Sequence, residues 1–190
     1  MIQELLNEFH VPKHIRRHAK KVAGVCEFIG GRIQGVDLEL LKKAAYLHDL
    51  VRICDFTKWN PDNMPDEHSE ESKIEWEQIR KKYAGKSHEQ AACEILSERG
   101  YHALANLIKS HSFENILKGL TTWEEKILYY ADKRVENDQI VSLEHRLEEG
   151  KKRNADTPER KRISDLARPK IIALEKEICA KAGIKPESIR

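Results

Sequence analysis

Apolar residues recur along most of this chain at the three- and four-residue intervals of an amphipathic helix. The clearest run is Leu38, Leu41 and Ala45, which places one apolar side chain of each turn on the same face. The two-residue alternation of a half-buried strand is absent from the sequence, so we predict an all-α fold. Helices are expected over residues 2–9, 13–29, 37–50, 71–84, 88–99, 101–111, 123–137, 138–153 and 158–182, with Pro169 kinking or breaking the last.

Three histidines, His18, His48 and His111, continue these apolar stripes instead of facing away from them. His48 follows Ala45 by three residues, and His111 follows Leu107 by four. A buried imidazole needs a polar partner, because an unpaired polar group in a dry core is costly. A divalent cation shared among several imidazoles and carboxylates would satisfy all of them at once.

Three further residues can join such a cluster. Asp49 directly follows His48. His88 lies in the first turn of a helix that begins with the capping box Ser87 and Gln90. Asp132 is adjacent to the apolar stripe of a later helix. Since carboxylates and imidazoles are common ligands of divalent metals, we interpret the six side chains as a candidate metal centre.

The order of His18, His48-Asp49 and Asp132 on successive helices resembles the HD superfamily of metal-dependent phosphohydrolases. The segments that carry this resemblance are "HAKKVAGVCEFI", "LLKKAAYLHDL", "SHEQAACEIL", "LIKSHS" and "WEEKILYYADK", and they cover roughly residues 14 to 137. The resemblance implies an HD-domain helical bundle.

His88 and His111 resemble the two extra histidines of members with a dinuclear centre, among them the symmetrical dinucleoside-tetraphosphate hydrolases. The resemblance implies a first metal held by His18, His48, Asp49 and Asp132. It implies a second metal held by His88 and His111, with Asp49 as the bridge. Such a ligand set suits manganese or iron, one or two ions per chain, whereas a mononuclear site would leave Mg²⁺ open and make the two extra histidines phosphate contacts.

Arg52 lies one helical turn after Asp49 and is either an exposed base or a catalytic contact to a substrate phosphate. The dinucleoside-tetraphosphate hydrolases usually carry lysine there. They also carry an acidic, Pro-containing segment ending in Arg where this chain has Lys133–Asn137. Despite both departures, the resemblance still implies a hydrolase. The departures leave the identity of the substrate's leaving group open.

The resemblance therefore implies a phosphohydrolase that acts on a nucleotide-type phosphoester or phosphoanhydride through a metal-bound hydroxide, with Asp49 orienting the nucleophile. One alternative is a phosphodiesterase for a cyclic dinucleotide or an RNA end, which would need a site open to a longer ligand. The other is a non-catalytic module that senses a nucleotide, although the complete ligand set argues against a degenerate copy.

We expect the HD domain to span residues 1–137 and a charged helical extension to span residues 138–190. The extension carries two apolar stripes, Ile140, Leu143 and Leu147, then Ile171, Leu174 and Ile178. These stripes predict packing either on the same domain or on a second subunit, which would make a homodimer. The turn-rich segment 54–69 is either one wall of the site or a plain surface connection.

Composition limits the partners further. The formal net charge is only +2, so no global field attracts nucleic acid, and we expect a small phosphorylated substrate instead. The sequence has no run of membrane-spanning length, no secretory leader pattern and no Cys-x-x-Cys spacing among its four cysteines. We therefore expect a cytoplasmic protein with no membrane contact and no disulfide framework.

Overall fold

The computed structural model describes residues 1–154 and 156–190, and in these residues the chain is predominantly helical, as predicted. The helices are α1 Ile2–Glu8, α2 Lys13–Gly30, α3 Leu38–Leu47, α4 Glu70–Lys82, α5 His88–Glu98, α6 His102–Ser110, α7 Asn115–Lys118, α8 Trp123–Lys133, α9 Leu143–Asn154 and α10 Pro158–Ala182. Side-chain caps start several of them where the sequence indicates: Ser87 with Gln90 for α5, and Thr122 with Glu125 for α8. The short α7 was not among the expected helices.

A small hairpin replaces the expected junction between two helices after residue 133. Strand β1, Val135–Glu136, pairs antiparallel with β2, Gln139–Ile140, so the expected bounds 123–137 and 138–153 are wrong at that junction. Asn137 adopts a left-handed conformation with φ 55° in the turn, which asparagine tolerates better than most residues. The hairpin reverses the chain between α8 and α9.

Two other boundaries differ from expectation. Helix α3 ends at Leu47 and not at residue 50, and a 3₁₀ turn over Arg52–Asp55 follows it. Helix α10 continues through Pro169, so the expected break is absent. Proline removes the hydrogen bond to the carbonyl four residues earlier, at Asp165. Both Pro169 and Asp165 are exposed, so water can satisfy that carbonyl.

The core lies between α2, α3, α6 and α8. Helix α2 packs against α3 and α8, while α6 packs against α3, α5 and α8. Val22, Cys26 and Ile29 on the inner face of α2 are completely buried. Each large aliphatic side chain buried in this way stabilises the fold by roughly 1.5–3 kcal/mol. These four helices, together with α5, which packs on α6, position the candidate site.

The C-terminal segment packs on the same chain. Helix α10 contacts α2, α7 and α8, and buries Ile171, Leu174 and Ile178. The division of the chain at residue 137 and the formation of a homodimer stay predictions. Among the described residues, none of the helices combines the length and the apolarity that crossing a bilayer requires.

Candidate metal centre

The six candidate ligands meet at one end of the helical core. They come from different elements: His18 from α2, His48 and Asp49 from the end of α3, His88 from the start of α5, His111 from the end of α6 and Asp132 from α8. His18, His48 and Asp49 form one group of possible metal ligands, and Asp49, His88 and His111 form another, each with its ligand atoms within 4.8 Å of one another. Asp49 belongs to both groups.

Helix geometry favours a positive charge at this place. His48 and His111 are the C-cap residues of α3 and α6, and Asp132 lies in the last turn of α8. The C-terminal end of a helix carries a partial negative charge from its unpaired carbonyl groups. Three such ends reach the cluster beside two carboxylates, so the local field attracts a cation.

All four imidazoles use Nδ1 for a hydrogen bond to an oxygen. The acceptors are the carbonyl of Asn137 for His18 at 2.8 Å, the carbonyl of Ala45 for His48 at 2.8 Å, the carbonyl of Ile108 for His111 at 2.5 Å and the carboxylate of Asp55 for His88 at 2.8 Å. A carbonyl or carboxylate oxygen only accepts, so these contacts place a proton on each Nδ1. At His88 the donor Nη1 of Arg52 also lies 3.1 Å from Nδ1, and the shorter contact, to Asp55, sets the tautomer. In the neutral ring Nε2 then carries the lone pair, which is the arrangement of a metal-ligating histidine.

The Nε2 atoms and the carboxylates converge. Nε2 of His88 lies 3.3 Å from Nε2 of His111 and 3.2 Å from Oδ1 of Asp49. Nε2 of His48 lies 3.5 Å from the other oxygen of Asp49, Oδ2, and 3.7 Å from Oδ1 of Asp132. The two oxygens of Asp49 thus face different histidines, which is the geometry that a bridging carboxylate requires.

The residues fit a divalent metal. His48 is 1% exposed, and its Nε2 has no hydrogen-bond partner among the described residues. A buried nitrogen without a partner is costly, and here the neighbouring atoms are oxygens of Asp49 and Asp132 and not donors. A metal ion accepts electron pairs from all three groups. A mixed set of imidazole and carboxylate ligands, without thiolates, is common for manganese, iron, cobalt and zinc.

The charges of the cluster are unevenly distributed. Burial opposes ionisation of Asp49, but the neighbouring His48, His88 and Arg52 hold its pKa well below its usual range. Burial likewise opposes the charging of His88, yet the carboxylates of Asp49 and Asp55 raise its pKa to about 9. Burial, together with His48 and His88, lowers the pKa of His111 to about 4. Protons and metal ions therefore compete for the same negative potential.

Two cationic side chains lie beside the cluster. Arg52 forms an ion pair through Nη1 with Asp55, and its Nε lies 4.0 Å from Oδ1 of Asp49, while the side chain is 34% exposed. Lys133 is buried and donates from Nζ to Oδ2 of Asp132 at 2.6 Å. Arg52 therefore borders both the cluster and the solvent, whereas Lys133 holds one oxygen of a candidate ligand.

Two contributors were missed by sequence reasoning. Asp55 and the carbonyl of Asn137 each accept from a candidate ligand, as described above. The dipeptide Asn137-Asp138 is a turn signal that could have indicated the hairpin. Asp55 follows Arg52 by three residues with opposite charge, which is a weak local signal for a pair.

The first residues of segment 54–69 contact the site. Asp55 contacts His88, and further along Asp66 pairs with Arg17 through two hydrogen bonds of 3.0 Å. Arg17 precedes His18 in α2. The segment therefore spans from one side of the cluster towards the other along the surface.

A model of the HD domain family matches residues 15–167 of the chain, which include all six candidate ligands. Comparison with curated proteins gave no significant match, and comparison with solved structures gave none either.

Proposed function

Since the chain belongs to the HD domain family, we propose that it is a metal-dependent phosphohydrolase that cleaves a phosphoester or phosphoanhydride bond of a nucleotide-type substrate. One observation carries the proposal. Asp49 directs its two oxygens towards different histidines, beside a buried Nε2 of His48 that has no partner among the described residues. A cluster of this kind could hold divalent cations. Members of the HD domain family typically use such cations to hydrolyse phosphate compounds.

The ligands divide into two sets in this proposal. His18, His48, Asp49 and Asp132 would hold a first metal. His88 and His111 would hold a second, and Asp49 would contribute to both. When bound, the metals supply Lewis acidity, which lowers the pKa of water and neutralises charge on the phosphate oxygens. Manganese or iron fits these ligands best.

Asp49 has the central role among the side chains. Its carboxylate is ionised at neutral pH, because the nearby His48, His88 and Arg52 hold its pKa well below the usual range against the effect of burial. It can therefore accept a hydrogen bond from the attacking water and orient it towards phosphorus. The cluster is largely shielded from solvent, since the side chains of Asp49 and Asp132 are 15% and 13% exposed.

Arg52 is proposed to contact the substrate phosphate. Its guanidinium lies at the edge of the cluster, and the carboxylates of Asp49 and Asp55 hold it there. Two parallel N–H donors match the oxygens of a phosphate group, and the guanidinium keeps its charge at any physiological pH.

The second set of ligands supports the proposed substrate class. His88 and His111 occupy the cluster as the extra histidines of dinucleoside-tetraphosphate hydrolases would, which favours nucleotides and dinucleoside polyphosphates. Arg52 in place of the usual lysine and the residues Lys133–Asn137 in place of the acidic, Pro-containing segment are departures from that subgroup. We therefore propose the nucleotide class and not one particular member of it.

The test begins with metal content. Protein purified without chelator under reduced oxygen is loaded anaerobically with Mn²⁺ or Fe²⁺, and the bound metal is counted by elemental analysis. We expect about two ions per chain, followed by phosphate release from nucleotides or dinucleoside polyphosphates. Turnover of cyclic dinucleotides without release of terminal phosphate would favour the phosphodiesterase alternative. Nucleotide binding without any turnover would favour the sensing module.

A further inference from the structure

Asp55 makes two contacts with a proposed ligand of the second metal. One oxygen, Oδ2, accepts from Nδ1 of His88 at 2.8 Å and from the backbone N–H of His88 at 3.0 Å. The other, Oδ1, pairs with Nη1 of Arg52. Building on the proposed function, we infer that Asp55 is a positioning residue that aims Nε2 of His88 at the second metal and strengthens it as a ligand.

The position of His88 explains why it needs an acceptor from outside its helix. His48 and His111 end their helices, so each ring reaches back to the carbonyl three residues earlier, at Ala45 and Ile108. His88 is the first residue of α5 and has no preceding helical turn to offer a carbonyl. Its ring and its backbone N–H would both lack a partner without a group from another element.

A carboxylate does more than fill this gap. A charged acceptor makes a stronger hydrogen bond than a carbonyl and increases the electron density at the opposite nitrogen, Nε2. A negative charge at the start of α5 also interacts favourably with the helix dipole. Among the four candidate histidine ligands, His88 alone has its Nδ1 on a carboxylate. The second metal site therefore depends on Asp55 in a way that the first site does not.

A different interpretation would make Asp55, His88 and Glu89 a separate metal site, because their ligand atoms also lie within 4.8 Å of one another. The guanidinium of Arg52 argues against it. Its Nη1 lies 3.1 Å from Nδ1 of His88 and pairs with Asp55. A positive charge already occupies the space between these groups, so a metal ion there would be repelled.

The experiment is a titration of metal-free full-length protein with Mn²⁺. Binding is measured by calorimetry and by the electron paramagnetic resonance signal of free Mn²⁺. The variants are Asp55→Ala, which removes the acceptor, and Asp55→Asn, which keeps a carbonyl oxygen without the charge. Glu94→Gln is the matched control, since Glu94 is a partly exposed carboxylate on α5 that pairs with Lys86. Thermal unfolding of each variant verifies the fold.

We expect two binding events in the unmodified protein. Asp55→Ala should weaken the second by roughly 10- to 100-fold and leave the first within about threefold, as is typical when the partner of a metal-ligating histidine is removed. Asp55→Asn should recover much of the loss because the amide oxygen can still accept from Nδ1. Glu94→Gln should bind as the unmodified protein does.

Several results would overturn the inference. Unchanged affinity at both sites in Asp55→Ala would exclude a positioning role, and equal weakening of both sites would indicate a general structural defect. Three Mn²⁺ ions in the unmodified protein and two in Asp55→Ala would make Asp55 a ligand itself. If Asp55→Ala does not fold, Asp55→Asn decides: weakening confined to the second binding event supports the inference, and affinity like that of the unmodified protein at both events opposes it. Absence of any binding by the unmodified protein would overturn the proposed function together with this inference.

Discussion

Nε2 of His88 and Nε2 of His111 face each other at 3.3 Å, although the residues start and end two different helices. Both rings carry the Nδ1 proton on an oxygen acceptor, so in their neutral forms two lone pairs point at the same space. Such an arrangement is unfavourable unless a proton or a metal ion lies between the rings. Asp49 and Asp55 raise the pKa of His88 to about 9, so a proton can fill this space, and a metal ion at the candidate centre would have to displace it.

Replacing His88 and His111 together by alanine should remove one metal ion per chain and keep the other. The first set of ligands, with His18 and His48, remains complete in this variant. Elemental analysis after anaerobic Mn²⁺ loading measures the effect. His102→Ala is the control, because His102 is an exposed histidine at the start of α6. Unchanged metal content in the double variant would refute the dinuclear assignment.

Asp49→Asn should abolish turnover and weaken metal binding at both sites. The amide lacks the charge that balances the metals, and it cannot bridge them as a carboxylate does. We expect kcat/KM to fall by about 10³-fold or more, the scale of losing a residue central to catalysis. A steady-state assay with the best nucleotide substrate measures this fall. Turnover within about tenfold of the unmodified enzyme would contradict the mechanism.

Metal removal should destabilise the protein, because the cluster holds buried carboxylates and an unpartnered nitrogen of His48. Mn²⁺ at a hundredfold excess over its Kd should add about 2.7 kcal/mol per site to the free energy of unfolding. For a chain of this size that corresponds to a rise in Tm of roughly 5–10 °C per site. Thermal scans in chelator and in Mn²⁺ measure the rise, and Asp49→Asn should show much less of it. Equal Tm values in both conditions would exclude a metal centre of useful affinity.

Arg134→Ala should destabilise the fold strongly. Arg134 is buried and donates to the hydroxyl of Tyr130 and to the carbonyls of Val141 and Pro186, so it joins α8 to the C-terminal segment. Removing a buried charged partner costs about 3–5 kcal/mol, and urea denaturation measures the loss. Arg99→Ala, which breaks a partly exposed ion pair with Glu8, should cost about 1 kcal/mol or less. Similar losses in the two variants would contradict the structural role of Arg134.

Local patterns predicted the helices and much of the site. His48 and His111 point inward because they occupy the next position on an apolar stripe, and a helical period makes that direction readable from spacing alone. The capping box Ser87 and Gln90 placed His88 at the start of α5. The resemblance to the HD superfamily then implied the set of six ligands, and the HD domain model matches a range of residues that contains all six.

Boundaries were less predictable, because they depend on turns and solvent. Helix α8 ends at Lys133, and the left-handed Asn137 lies in the turn of the hairpin that follows, although the apolar spacing continues through Val135 and Ile140. Pro169 does not break α10, because Pro169 and Asp165 are exposed and water can replace the lost hydrogen bond. The spacing of apolar residues reveals neither the turn at Asn137 nor the exposure of Pro169.

The sequence by itself determined the helical class and the inward direction of His18, His48 and His111, since both follow from spacing within one helix. Only the tertiary structure decided that the two oxygens of Asp49 face different histidines and that Asp55 reaches His88. These contacts join residues of separate elements, and their geometry is set by how the helices pack. No local pattern encodes a distance between two helices, so the orientation of the centre emerges only when the core has formed.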